Sequence, residues 1–117
     1  MEAVLSKFEM KTENNYMIVI KPDVKDWEIQ VLISIPKLDV LKTGLDGGLL
    51  EVVPRFNNFM GRDCVVFCDE EGKLKGLKHN NVAHWLWEQS YGRSITNDYL
   101  VGPIVIIVGS SSFLAQL

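Results

Sequence analysis

Four potential zinc ligands lie within one short stretch of the chain. Cys64, Cys68, His79 and His84 follow the pattern C-x3-C-x10-H-x4-H, which is close to the spacing of a C2H2 zinc finger. In such a finger the two cysteines flank a tight turn, so that both sulfurs reach one tetrahedral ion. Whether this stretch binds metal therefore depends on the structure between the cysteines.

The residues between the cysteines predict a strand rather than a turn. The spacer is Val-Val-Phe, without glycine or another turn-forming residue. A strand rises about 3.3 Å per residue, so Cys64 and Cys68 should lie roughly 13 Å apart. His79 also precedes the predicted start of the helix that contains His84. We therefore predict no bound metal and no cofactor, with both cysteines as reduced thiols on one face of a strand.

Hydrophobic patterning predicts an α+β fold. Runs of β-branched and alternating apolar residues indicate strands, and apolar residues at spacings of three and four indicate helices. The predicted strands are residues 16–21, 27–34, 49–54, 63–68 and 101–109, residues 73–77 are predicted as a short strand or an extended segment, and the predicted helices are residues 36–45 and 81–91. Because the strands follow one another as hairpins rather than as βαβ units, we expect an antiparallel or mixed sheet of five or six strands. Both helices are expected to pack on one face of that sheet.

A polar turn after the fourth strand is a candidate recognition surface. The sequence DEEG (69–72) predicts a hairpin tip with Gly72 at positive φ. Glu70, Glu71 and Lys73 would be exposed there, while Leu74 and Leu77 would point into the core. Side chains on loops held by a rigid scaffold are where binding is usually found.

The start of the second helix is a further candidate. Asn80 is predicted to be its N-cap. Alternatively, Asn80 makes a polar contact at an exposed helix N-terminus, whose free N–H groups favour phosphate or carboxylate. Lys73, Lys75 and Lys78 are close in sequence and could complete a small anion pocket.

The same helix carries Trp85 and Trp87 within three residues. We predict that Val82, Trp85 and Leu86 face the core, while Trp87 lies on a neighbouring side with Tyr91. Tryptophan is enriched at interface hot spots, so Trp87 is a candidate partner contact. A tryptophan folded over the edge of the sheet is the alternative.

Composition excludes several classes of protein. The chain has 117 residues, 47% hydrophobic and 23% charged, and a net charge of −3, as expected of one globular domain. The lysines and arginines are scattered, which argues against nucleic-acid binding. The longest apolar run near the C-terminus, IVIIV (104–108), is much shorter than the ~18 residues of a membrane span, and no secretory signal is visible. We expect a soluble cytoplasmic protein, and homo-oligomer formation is left open.

Several motifs resemble the family catalogued as domain of unknown function 3846. They are Gly47-Gly48 before Glu51–Pro54, the segment DEEGKLKGL (69–77), Asn80, Asp98 with Gly102-Pro103, and Gly109 after the last strand. The resemblance covers residues 17 to 109. Residues 1–16 are therefore expected to be an N-terminal extension with a short helix around Val4–Phe8, residues 17–109 a single domain, and residues 110–117 a loosely docked tail.

The resemblance also bears on function. Members of this family are small proteins of bacteriophages, plasmids and related bacterial islands, without an established activity. The resemblance, with no recognisable catalytic arrangement in the chain, implies a non-catalytic accessory protein that binds a host protein, for example to inhibit host defence. The alternative is a protein that binds or sequesters a small anionic ligand such as a nucleotide or signalling molecule, and an enzyme with an unrecognised site is a third hypothesis. The candidate binding residues are Glu70, Glu71, Lys73, Lys78, Asn80 and Trp87, with no catalytic or metal-binding residue.

Overall fold

The computed structural model describes residues 9–117, which form a sheet with helices on both faces. In chain order the elements are β1 (Asn15–Ile20), β2 (Glu28–Leu32), α1 (Leu38–Gly44), β3 (Leu50–Val52), β4 (Asn58–Phe59), β5 (Arg62–Asp69), α2 (Asn81–Tyr91), β6 (Ile104–Val108) and α3 (Ser111–Leu114). The strand order is β2-β1-β6-β5-β3, and β4 pairs with β5 beside this path. Every pairing is antiparallel. The predicted α+β class and the predicted number of five or six strands are confirmed.

Strand β6 is the centre of the sheet. It pairs with β1 on one side and with β5 on the other, and all five of its residues are buried. Its side chains alternate between two hydrophobic clusters, with Ile104, Ile106 and Val108 in the first and Val105 and Ile107 in the second. An uninterrupted apolar run is expected of a strand that is covered on both faces.

The two longer helices lie on opposite faces of the sheet. Helix α2 contributes Ala83, Leu86 and Trp87 to the first cluster. Leu41 of α1 and Leu45, which directly follows α1, belong to the second cluster. The prediction that both helices pack on one face is therefore corrected. The physical reason is that β1 and β6 present apolar side chains on both faces, and each face requires its own covering layer.

Residues 73–77 do not form the predicted strand. They belong to consecutive turns, in which Lys75 N–H donates to the Glu71 carbonyl and Leu77 N–H to the Gly72 carbonyl, both at 3.0 Å. Strand β5 already pairs with both β3 and β6, so it has no free edge for a returning strand. Leu74, predicted to be in the core, is 88% exposed.

Both ends of the described chain contact the core. Arg62 donates a 2.7 Å hydrogen bond to the carbonyl of Asn14, and Tyr16, within the predicted extension, is a buried residue of β1. At the other end Phe113 is buried in the second cluster. The helix predicted around Val4–Phe8 lies outside the described residues. Among the helices at 9–117, none is long and apolar enough to cross a membrane.

Candidate functional site

The lysines near the start of α2 do not converge on one pocket. Lys73 forms an ion pair with Asp98, Lys75 with Asp69, and Lys78 with Asp23. The hydrogen bond from Lys73 lowers the pKa of Asp98 below its usual range. Each lysine is thus neutralised by a different carboxylate, and the three charges are not gathered around an anion.

Asn80 is the N-cap of α2, as predicted, and its side chain is buried. Its Oδ1 accepts from Ala83 N–H at 3.1 Å, while its Nδ2 donates to the carbonyls of Ile20 and Gly102, both at 2.9 Å. The side chain is only 1% exposed. These hydrogen bonds connect α2 to β1 and to Gly102, which directly precedes β6, so the role of Asn80 is structural.

The core-facing stripe of α2 differs from the predicted one by a single position. Ala83, Leu86 and Trp87 are buried at the spacing i, i+3, i+4. Trp87 is 4% exposed and its Nε1 donates to the Pro54 carbonyl at 2.9 Å. Trp85, predicted to face the core, is 38% exposed instead.

Three of the predicted binding residues line an acidic cleft beside β3 and β5. Glu70, Lys73 and Trp87 belong to its walls, and Glu71, Lys78 and Asn80 do not. The cleft has a volume of about 270 Å³, and its full lining is Glu51, Val53, Pro54, Cys68, Asp69, Glu70, Lys73, Trp87, Asp98, Tyr99, Leu100 and Val101. Four carboxylates against one lysine make it a poor site for an anion.

The chemistry of Cys68 in this cleft is that of an inert thiol. Burial, together with the charge of Glu51, raises the pKa of Cys68 to about 12. Because the thiolate is the nucleophilic form of cysteine, Cys68 is not activated for catalysis at neutral pH.

The four residues of the zinc-finger-like pattern have separate surroundings. Cys64 and Cys68 are free thiols on β5, and both contact the first hydrophobic cluster. The ring of His79 stacks on Tyr99, whereas His84 contacts Trp87 edge to face. In the part of the chain that the structure describes, no three histidine, cysteine, aspartate or glutamate side chains are grouped so that they could hold a metal.

A second cavity, at the C-terminal end of α2, has the opposite electrostatic character. It has a volume of about 460 Å³ and we call it the arginine cavity; it is lined by Pro54, Arg55, Trp87, Tyr91, Arg93, Ser94, Ile95, Thr96, Asn97 and Asp98. Its one carboxylate, Asp98, is paired with Lys73. Hydroxyl and amide groups from residues 94–97 complete a polar wall.

Arg55 and Arg93 converge on Tyr91 in this cavity. Arg55 Nη1 and Arg93 Nη2 both donate to the Tyr91 hydroxyl, at 2.8 and 2.9 Å. Both guanidinium groups also lie near the tyrosine ring, 5.3 and 4.9 Å from its centroid. The hydrogen bond from Arg93 lowers the pKa of Tyr91 below its usual range. Two positive charges are therefore held close together around one oxygen atom.

Neither arginine has a carboxylate partner within the described chain. The ion pairs at residues 9–117 involve lysines and His84 but not Arg55 or Arg93. Both arginines are exposed, so their charges are solvated by water and accessible to a ligand. The arginine cavity is thus a concentration of positive charge on a protein whose net charge is −3.

The wall of the arginine cavity that contains Pro54 and Arg55 is hydrogen-bonded to α2 at two points. Trp87 Nε1 donates to the Pro54 carbonyl, and the Ser90 hydroxyl accepts from the N–H groups of Asn57 and Asn58 at 3.0 and 3.1 Å. Between these points Arg55 has a φ of 59°, a left-handed conformation that costs a non-glycine residue about 1 kcal/mol or more. The hydrogen bonds from α2 hold Arg55 in that conformation.

The opposite wall, formed by residues 93–98, also makes hydrogen bonds to α2. Ile95 N–H donates to Glu88 Oε2 at 2.7 Å, and the Ile95 carbonyl lies 3.2 Å from His84 Nε2. Gly92, at φ 85°, ends α2 in the left-handed conformation and turns the chain toward Arg93. One helix therefore positions both loops and both arginines.

This arrangement can bind a carboxylate or phosphate. Arginine presents a planar fork of N–H donors that matches both groups. The C-terminus of α2 carries a partial negative charge that opposes an anion by about 0.3–1 kcal/mol. Because both arginines are exposed, each ion pair contributes up to about 1 kcal/mol, and the two arginines together offset the helix dipole.

The arginine cavity is not among the sites predicted from the sequence. Arg55 and Arg93 are far apart in the chain, each in a polar loop, and no motif spacing connects them. They meet because Trp87 and Ser90 hold one loop while Glu88 and His84 hold the other. The available signal was two arginines in loops rich in asparagine and serine, which is too common to identify a site.

Comparison with known proteins assigns the chain to a family. A family model described as a domain of unknown function (DUF3846) matches residues 15–113. The chain therefore belongs to this family, as its motifs indicated. No curated protein and no solved structure matches the sequence.

Proposed function

We propose that this member of the family is a non-catalytic binding protein that recognises an anionic group through Arg55 and Arg93. The observation that carries the proposal is the convergence of two arginines, without a carboxylate partner among the described residues, on Tyr91 beside a cavity of about 460 Å³. A volume in the range of about 300–1,000 Å³ is typical of small-ligand sites. The chemical class of the group is a carboxylate or a phosphate.

The experiment is a thermal unfolding titration with inorganic phosphate and, separately, adenosine monophosphate at constant ionic strength. A ligand at 100-fold excess over its Kd stabilises the native state by about 2.7 kcal/mol. We expect the melting temperature of the parent to rise with ligand concentration, and the rise to disappear in the Arg55→Gln/Arg93→Gln variant.

The matched control removes two positive charges elsewhere. Lys25 and Lys37 are exposed and do not line the arginine cavity, so Lys25→Gln/Lys37→Gln should respond like the parent. Equal loss of response in this control would indicate unspecific charge screening. No response in the parent to either ligand, nor to the acidic peptides used below, would overturn the proposal.

The binding of a host protein by an accessory protein of a phage or mobile element is the second candidate function. It is supported by an apolar groove next to the arginine cavity, where Trp85 and Met60 are 38% and 43% exposed. Exposed aromatic and methionine side chains are enriched at protein interfaces. Inhibition of host defence is one form of this proposal, tested by whether expression of the chain permits infection of a strain that carries a defence system.

A further inference from the structure

The surface of α2 continues from the arginine cavity into an apolar groove. The groove has a volume of about 220 Å³ and is lined by Phe59 and Met60 from the β4–β5 turn region and by Trp85 and Leu86 from α2, with Asn58, Gln89 and Ser90 at its edge. Phe59 is buried and forms the floor, whereas Met60 and Trp85 are exposed at the rim. This volume is below that of typical small-ligand pockets and suits one large apolar side chain.

Groove and arginine cavity are parts of one strip along α2. Ser90 lines the groove and also a shallow depression that it shares with Arg55, Tyr91 and Arg93. From Trp85 to Tyr91 the helix advances by six residues, or roughly 9 Å at 1.5 Å per residue. An extended chain covers that distance in two to three residues at about 3.3 Å each.

The middle of the strip offers polar groups to a peptide backbone. Gln89 is exposed, and its side chain makes no hydrogen bond within residues 9–117. Asn57 and Asn58 are also exposed, on the other side of the strip; their Oδ1 atoms accept from Ser90 and Gly61, so their Nδ2 groups are the ones that face a peptide as donors. Amide side chains can both donate to and accept from a passing peptide group.

We propose that the strip is a docking site for an acidic peptide segment of a partner protein. An apolar side chain of the segment enters the groove between Trp85 and Met60, and an aspartate or glutamate two to three residues away pairs with Arg55 and Arg93. The inference rests on the proposed anion recognition and specifies its ligand. Charge complementarity favours an acidic partner, since the two arginines lack a carboxylate within the described chain.

A polyanion fits this strip less well than a single acidic segment. Nucleic-acid binding needs several phosphate contacts along a basic surface. Here the neighbouring acidic cleft, with Glu51, Glu70 and Asp98 in its walls, would repel the next phosphates. A free small anion would occupy the arginine cavity but leave the groove empty.

The test uses fluorescein-labelled decapeptides of glycine and serine that contain one leucine and one aspartate, separated by one to six positions, with binding measured by fluorescence polarisation. We expect affinity to be highest when the aspartate is two or three positions from the leucine. Replacing the leucine by serine, or the aspartate by asparagine, should weaken binding at least tenfold. Affinity that is independent of spacing, or absent throughout the set, would overturn the inference.

Variants of the protein separate the two halves of the strip. Trp85→Ala/Met60→Ala should abolish the preference for leucine over serine yet keep the melting-temperature response to phosphate. Arg55→Gln/Arg93→Gln should abolish the preference for aspartate over asparagine. The control is Val31→Ala/Ile33→Ala, which removes exposed apolar side chains on and just after β2 and should bind like the parent.

The outcomes distinguish this inference from the function on which it rests. A response to phosphate through Arg55 and Arg93, without spacing-dependent peptide binding, would contradict the docking site and leave anion recognition in place. Peptide binding that both the groove variant and the arginine variant retain would place the docking surface elsewhere and contradict the inference. Failure with phosphate, adenosine monophosphate and peptides together would contradict both.

Discussion

At the scale of single residues, Asn80 and Arg55 use their polar groups in opposite ways. The Asn80 side chain is buried and makes three hydrogen bonds to backbone groups of the fold. Arg55 makes a hydrogen bond to Tyr91 but carries a charge that nothing in the described chain offsets. Only the second kind of residue has polar groups left to bind a ligand, so the arginines and not Asn80 form the candidate site.

Substitution of Asn80 should therefore affect stability strongly. Asn80→Ala removes the N-cap, worth about 1 kcal/mol, and leaves the buried carbonyls of Ile20 and Gly102 without their donor, at about 1–3 kcal/mol. We expect the free energy of unfolding to fall by about 2–4 kcal/mol in urea denaturation. Asn80→Asp keeps the cap acceptor but places a negative charge against the two carbonyls, so it should be at least as destabilising.

The control for this experiment is Asn97→Ala, since Asn97 is exposed and surface substitutions usually change stability by no more than about 0.5 kcal/mol. A loss of only about 1 kcal/mol in Asn80→Ala would show that the cap alone matters and that water replaces the two donor contacts.

At the scale of secondary structure elements, local patterns sufficed for most strands and for the start of α2. The apolar runs at β1, β5 and β6 and the Asn80 cap are signals contained in a few neighbouring residues. The segment DEEGKLKGL contains an equally strong local signal for a hairpin. It forms consecutive turns without a returning strand, because both edges of β5 are already paired. The neighbours of a strand depend on the whole sheet, so this outcome could not be read from the segment itself.

The buried face of α2 and the arginine cavity also depend on more than local sequence. An apolar stripe beginning at Val82 and one beginning at Ala83 differ by about 100° around α2, and because both contain a tryptophan, the pattern alone does not distinguish them. The continuous apolar run of β6 is typical of a strand covered on both faces, but the run does not indicate which helix covers which face. The arginine cavity depends on two loops that meet only in the folded chain, so none of its geometry is present in local sequence.

Helix α1 approaches the sheet closely at Gly44, and this contact can be tested. A Cβ atom at this position would lie 2.7 Å from Val105 Cγ2 and 3.2 Å from Met17 Cε. Val105 is a fully buried, β-branched residue of the central strand, so it has little freedom to move. Alanine gains about 1 kcal/mol in helix propensity at most, whereas overpacking of a core costs about 1–3 kcal/mol.

We therefore expect Gly44→Ala to lower the free energy of unfolding by about 1–2 kcal/mol, measured by urea denaturation. The matched control is Gly47→Ala, where a Cβ atom meets nothing within 4 Å but φ is 85°, so that only backbone strain contributes. In the Gly44→Ala/Val105→Ala variant the two side chains no longer overlap, so the effect of the two substitutions together should be smaller than the sum of their separate effects. Stabilisation by Gly44→Ala alone would show that α1 can move away from the sheet at no cost.

At the scale of the whole molecule, the sheet formed by residues 9–117 has two covered faces and two terminal strands. The first cluster lies under α2 and the second under α1 and α3. Strands β2 and β3 are the terminal strands of the main path, and Ile29 and Val31 of β2 are exposed. These exposed side chains of β2 lie on a different surface from the strip on α2.

The C-terminal segment determines how far the folded unit extends. The sequence predicted a loosely docked tail at residues 110–117, but Ser110 caps α3 through Phe113 N–H at 3.2 Å and Phe113 is 8% exposed. Truncation of a buried phenylalanine costs about 3–5 kcal/mol, and truncation at the rim of a cluster costs somewhat less.

We expect a chain that ends at Gly109 to lose about 2–4 kcal/mol of unfolding free energy in urea denaturation, with Phe113→Ala accounting for most of that loss. Deletion of residues 115–117, which are exposed, should change stability by no more than about 0.5 kcal/mol. If the chain ending at Gly109 unfolds at the same urea concentration as the parent, the tail is loosely docked and the folded unit ends with β6.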